Sequence, residues 1–141
     1  MKRAFIAVLG VVVLTALTGC SGSVATIPAK PEAQTAPTGF VESDKAGDIP
    51  VTLRVEPFKP GENTFVLTTP ESGIAAAEVQ VIMLEMGHGA ILDMAQTAPG
   101  RYEVSSSVID MDGKWMLRVK LTTTAGEEKL VPFYGKIKTE Q

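Results

Sequence analysis

Between Lys114 and Thr122 the chain alternates without a break. Trp115, Leu117, Val119 and Leu121 fall on one face, and Met116, Arg118 and Lys120 on the other. A period of two is the mark of a half-buried β-strand. The same period recurs from Ile49, where Val51, Leu53 and Val55 alternate with Thr52, Arg54 and Glu56. Phe65 and Leu67 share one face of Asn63 to Thr68, Tyr102 and Val104 alternate with charged or polar neighbours in Arg101 to Ser105, and Ile91 to Gln96 and Lys129 to Lys136 read as further short strands. Ala77 to Met86 is apolar on both faces toward its end, with Val79, Val81 and Met83 against Ile82, Leu84 and Met86. That pattern predicts a central strand covered on two sides. Turn signals separate these runs: Pro57-Pro60-Gly61, Pro70 to Gly73, Pro99-Gly100, Asp112-Gly113 and Ala125-Gly126. No stretch sustains a helical period. The expected fold is all-β, an antiparallel immunoglobulin-like β-sandwich of about seven strands over residues 49–141, with Trp115 as a core anchor.

The N-terminus sets the compartment. Met1-Lys2-Arg3 is followed by an apolar run from Ala4 to Leu17, which is short of the about 20 residues a spanning helix needs. It has the size and flanks of a signal peptide. The run ends in Leu17-Thr18-Gly19-Cys20, which resembles the bacterial lipobox. The resemblance implies a lipoprotein signal peptide over residues 1–19 and lipidation of Cys20. Two or three acyl chains then hold the protein stably to a membrane outside the cytoplasm. Ser21 follows the cysteine in place of the aspartate that retains lipoproteins at an inner membrane. In a host with two membranes the outer one is favoured.

Cys20 is the only cysteine, so no disulfide and no free thiolate is available. The fold must be held by its apolar core. Loss of residues 1–19 removes Lys2 and Arg3 and takes the net charge from −3 to −5. An acidic chain of this kind offers no basic face for phosphates, which argues against nucleic acid as a partner. Residues 20–48 are rich in Ser, Thr, Ala, Gly and Pro and poor in large apolar side chains. They are expected to form a lipid-anchored flexible tether. As a coil its length reaches roughly 30 Å.

One loop concentrates unusual chemistry. His88, the only histidine, lies in Met86-Gly87-His88-Gly89, and every methionine except the initiator lies between Met83 and Met116. Thioether and imidazole suit Cu(I), whereas zinc sites usually draw on several histidines or cysteines. Met86 and His88 are two apart and share a side if the chain is extended. Gly87 and Gly89 leave the backbone free to fold over an ion. Met111 precedes the Asp112-Gly113 turn, which a sandwich can bring beside the His88 loop. Met83 shares parity with Val79 and Val81, which assigns it to the core, while Met94 is open to either role. The expected metal site is therefore Met86, His88 and Met111, with Met94 or Met83 as a further ligand. The competing reading is plain: methionine is a good core filler, and a histidine between glycines is an ordinary turn residue.

Several segments together resemble a known family. Residues 58–69, Phe-Lys-Pro-Gly-Glu-Asn-Thr-Phe-Val-Leu-Thr-Thr, precede Met83-Leu84-Glu85-Met86-Gly87-His88-Gly89. Gly100-Arg101-Tyr102 and Met111-Asp112-Gly113-Lys114-Trp115 follow. The succession, covering about residues 50–122, is similar to the YtkA-like/FixH family of bacterial envelope proteins. The resemblance implies a small β-sandwich like the copper-handling CopC-like domains, and a role in copper delivery or in assembly of haem-copper oxidases. FixH-type members usually carry a transmembrane helix where this chain has its lipobox.

Other chemistries find little purchase. Asp110-x-Asp112-Gly113 opens like a calcium loop but lacks the acidic ligand at the twelfth position. Ser105-Ser106-Ser107 has no histidine that the sequence can place beside it, and a single histidine hardly supports a triad. No glycine-rich phosphate cradle is present. The sequence therefore predicts no enzyme. It predicts a lipid-anchored copper-binding protein acting as chaperone, store or sensor, with a cuproprotein or oxidase-assembly partner. The alternative is a metal-free interaction module that assists assembly of a membrane complex.

Overall fold

The computed structural model describes residues 39–139. Cys20, the leader over residues 1–19 and residues 20–38 of the expected tether lie outside them. Eight strands follow in order: β1 Phe40–Ala46, β2 Ile49–Glu56, β3 Asn63–Thr68, β4 Ile74–Met83, β5 Gly89–Ala98, β6 Arg101–Ser106, β7 Gly113–Thr123 and β8 Glu128–Ile137. All pairings are antiparallel, and the described residues contain no helix.

The spatial order is β1-β2-β3-β6-β5-β4-β7-β8. Strand β5 turns the corner between two layers. Its first half, to Met94, pairs with β4, and Ala95 to Ala98 pair with β6. The layers are thus β1-β2-β3-β6 and β5-β4-β7-β8, joined into one sheet that nearly closes like a barrel. Strands β7, β4, β5 and β6 form a Greek key, in which β7 returns to lie beside β4. The β6–β7 connection therefore crosses from one layer to the other.

The alternation does what it predicts. Val51, Leu53 and Val55 of β2, Phe65 and Leu67 of β3, Val79 and Val81 of β4, and Trp115, Leu117, Val119 and Leu121 of β7 are all buried. Val131 and Phe133 of β8 complete the same core. Every buried side-chain nitrogen or oxygen among the described residues has a hydrogen-bond partner.

Two segments differ from the sequence reading. The fold starts nine residues before Ile49, because β1 pairs with β2 over Phe40–Ala46, inside the stretch read as tether. Only the two ends of β1, Phe40 and Ala46, are buried. The exposed Val-Glu-Ser-Asp-Lys between them carries no alternation to read. Strand β4 ends at Met83, three residues early, and Leu84 and Met86 are exposed rather than covered by a second layer.

Phe58 closes the seam between the terminal strands. Its ring lies 5.1 Å from that of Phe40 on β1, and it packs over Gly135 on β8. It does so with a φ of +54°, in the left-handed region that non-glycine residues seldom occupy. Gly135 provides the room, since a Cβ there would lie 2.3 Å from Phe58 Cζ.

Candidate metal centre

The β4–β5 hairpin carries the candidate residues. Leu84, Glu85 and Met86 form its turn, and Gly87 adopts a φ of +70°. The Gly87 N–H donates to the Met83 carbonyl, and the Met83 N–H to the His88 carbonyl, both at 2.8 Å. The chain is therefore folded between Met86 and His88. The parity that would place both side chains on one side of an extended strand does not apply. Gly89 is needed for close backbone approach: a Cβ there would lie 1.8 Å from the Val81 carbonyl oxygen.

The crossing between β6 and β7 meets this hairpin. Ile109 is fully buried and its carbonyl accepts the Gly61 N–H at 2.8 Å, which pins the middle of the loop. Asp110 then stands beside His88, with Oδ1 3.3 Å from Nε2. The side chains of His88 and Asp110 are 37% and 54% exposed, so the pair is open to water and weak by itself. The Met111 carbonyl accepts the Trp115 Nε1–H at 3.3 Å, and the Met111 side chain packs partly buried against the core. The Trp115 ring lies edge-on to the His88 ring at 5.7 Å. Both Glu85 carboxylate oxygens accept the Lys114 N–H, at 3.1 and 3.3 Å. Asp112 accepts the Thr139 N–H at 2.7 Å and the Thr139 hydroxyl at 2.6 Å. These two bonds hold its carboxyl below the usual aspartate range.

The candidate ligands divide accordingly. The loop that holds Met111 meets the His88 hairpin at one end of the sandwich, where Asp110 and the Trp115 ring lie beside His88 and the Met111 carbonyl accepts the Trp115 indole N–H. Met86 stands at the hairpin tip two residues away, 66% exposed. Met83 is a core residue, as its parity predicts, but it sits under the same end. It pairs across the ladder with Trp115, and a Cβ on Gly113 would lie 2.5 Å from its methyl. Met94 is not brought to the site. It is buried opposite Ala77, five residues along β5 from Gly89, or roughly 17 Å at strand rise. Among the described residues no group of three or more His, Cys, Asp or Glu side chains could hold an ion.

Two neighbours escaped the sequence reading. Asp110 was legible only as the opening of a motif that fails as a calcium loop, and Trp115 only as core. Their contact with His88 depends on the β6–β7 crossing, which no local pattern encodes.

No family model matches the chain, and no curated protein matches it. Among solved structures it is similar to one described as "Crystal structure of Br derivative BhCBM56", a carbohydrate-binding module. The TM-score is 0.50 at 12% identity, over 68% of this chain and 99% of that one. Identity this low speaks to the fold alone.

Proposed function

We propose that this is a lipid-anchored protein of the cell envelope, outside the cytoplasm, that binds Cu(I) through His88, Met86 and Met111 and acts as a chaperone, store or sensor without catalysis. The observation that carries the reading is the position of His88. The only imidazole of the chain is partly exposed, on the same hairpin as Met86, and in contact with the loop that holds Met111. Soft thioether and imidazole donors match Cu(I). Asp110 faces Nε2, so a proton held there leaves the Nδ1 lone pair for a metal, as carboxylates bonded to the far nitrogen of metal-bound histidines do. Met83 lies beneath and is the reserve ligand. Met94, at the far end of its strand half, has no part. The resemblance of residues 50–122 to the YtkA-like/FixH family and the lipobox at Cys20 support the same reading.

Native mass spectrometry under reducing conditions tests it. The protein should show one Cu(I) adduct, lost or much reduced in Met86→Leu. Absence of an adduct, or one unchanged in that variant, overturns the assignment.

A second reading is a metal-free module that helps assemble a membrane complex such as a haem-copper oxidase. It draws on Leu84 and Met86, exposed at 46% and 66% on the hairpin. It predicts no copper adduct at all.

A further inference from the structure

The outer face of the β5-β4-β7-β8 layer departs from the usual polar solvent face. Ladder register arranges its side chains in rows. Ile91, Gln80, Arg118 and Pro132 form one row. Ile82, Met116 and Tyr134 form the next. Leu84 extends the third through its N–H bond to the Lys114 carbonyl, and Lys114 stands opposite Lys136.

Three features of these rows point the same way. Ile91, Leu84 and Tyr134 are 63%, 46% and 58% exposed, a concentration of apolar surface on one face. Arg118, Lys114 and Lys136 form none of the ion pairs among the described residues, and Arg118 Nη2 points to the Met116 sulfur at 3.9 Å. No carboxylate stands in the three rows. Acids on this face begin one row further on, with Glu78 and Asp93, and Glu78 is already paired with Lys120. Glu85 turns its carboxylate to the Lys114 N–H. Lysines directly opposite on paired strands repel. In a chain with an excess of acid, an uncompensated basic and apolar patch about 14 Å each way is suited to an external anion.

We propose that this face docks on anionic phospholipid. Leu84 and Ile91 would enter the headgroup boundary. Tyr134 would take the interfacial level that suits an apolar ring with a polar tip. Lys114, Lys136 and Arg118 would meet the phosphates while their stems cover apolar surface. A second copy of the chain fits poorly, because a two-fold contact sets the patch against itself and lysine against lysine. The lipid anchor proposed above contributes proximity: residues 20–38 reach at most roughly 65 Å when fully extended, so the domain stays near the bilayer.

Vesicle co-sedimentation of the mature chain, residues 20–141, carrying Cys20→Ser, tests the face without the lipid. Its failure is therefore separate from failure of the anchor, which is read by acyl labelling of the unaltered protein. Partition onto phosphatidylglycerol vesicles should rise with the anionic fraction and fall with salt, and pure phosphatidylcholine should bind little. Lys114→Gln with Lys136→Gln should weaken binding about 25-fold, at about fivefold for each charge near an anionic surface. Lys45→Gln, on the other layer, should leave it unchanged. Equal binding to both lipids, no binding to either, or no effect of the double variant overturns the proposal; binding to acidic proteins alone would assign the patch to them instead.

Discussion

Gly135→Ala should destabilise the protein, and only because of Phe58. A Cβ at 135 would stand 2.3 Å from Phe58 Cζ, 2.8 Å from Cε1 and 3.3 Å from Phe40 Cδ2. The Phe58 ring has little room to retreat, since it rests against Phe40 and its backbone is already held at positive φ. Overpacking of this kind costs about 1–3 kcal/mol. Replacing glycine within a strand returns roughly 0.5–1 kcal/mol of backbone entropy. The net cost expected is about 1–2 kcal/mol, or a fall in Tm of very roughly 4–15 °C for a domain of this size. In a Phe58→Ala background the clash is gone, and Gly135→Ala should be neutral or stabilising. Equilibrium urea unfolding of the four proteins gives the coupling energy, expected at about 2 kcal/mol. An equal cost of Gly135→Ala in both backgrounds would refute Phe58 as the plug of the β1–β8 seam.

Two further outcomes follow from side chains around the same end. Asn63 is 1% exposed; its Nδ2 donates to the carbonyls of Lys59 and Gly61, both at 2.8 Å, and its Oδ1 accepts the Lys59 N–H at 3.2 Å. Asn63→Ala leaves these groups short of partners and should cost about 2–4 kcal/mol by denaturant unfolding, whereas a solvated turn residue would cost under about 0.5 kcal/mol. Asp112 has its carboxyl lowered by the Thr139 bonds, so their stabilisation is present above the usual aspartate value of 3.8 and is lost as pH falls through the depressed value. Protection of the Thr139 amide from hydrogen exchange, corrected for the intrinsic rate, should persist at pH 5 and vanish in strong acid; Asp112→Ala should lack it at every pH.

How far the sequence reached depends on what each residue signals locally. Asn63–Thr68 and the start at Ile49 were readable because alternation and turn residues coincide there. β1 was not, because only its end residues Phe40 and Ala46 are buried and the five between them are exposed, which leaves no alternation to read. The outward residues of the Met83–Met86 segment look like core because they are apolar, and a period-2 pattern cannot tell a covered face from an exposed one. The assignment of Met83 to the core followed from parity and holds. The pairing of Met86 with His88 relied on an extended chain, and the turn with Gly87 at positive φ removes that premise. The approach of the Met111 turn to His88 was legible as an option of a sandwich. Which residue would touch His88 was not, because Asp110 arrives there by a crossing between layers.

The most direct test of the copper reading is competition for Cu(I) between the protein and a chromogenic chelator, under reductant and without oxygen, for the unaltered protein and His88→Ala. The unaltered protein should withdraw one equivalent of Cu(I) from the chelator. His88→Ala should lose at least tenfold in affinity while keeping its unfolding transition, since the His88 ring is partly exposed and its one side-chain bond, to Asp110, is solvent-open. Full Cu(I) affinity in a folded His88→Ala protein would contradict the assignment of this end of the sandwich as the metal site.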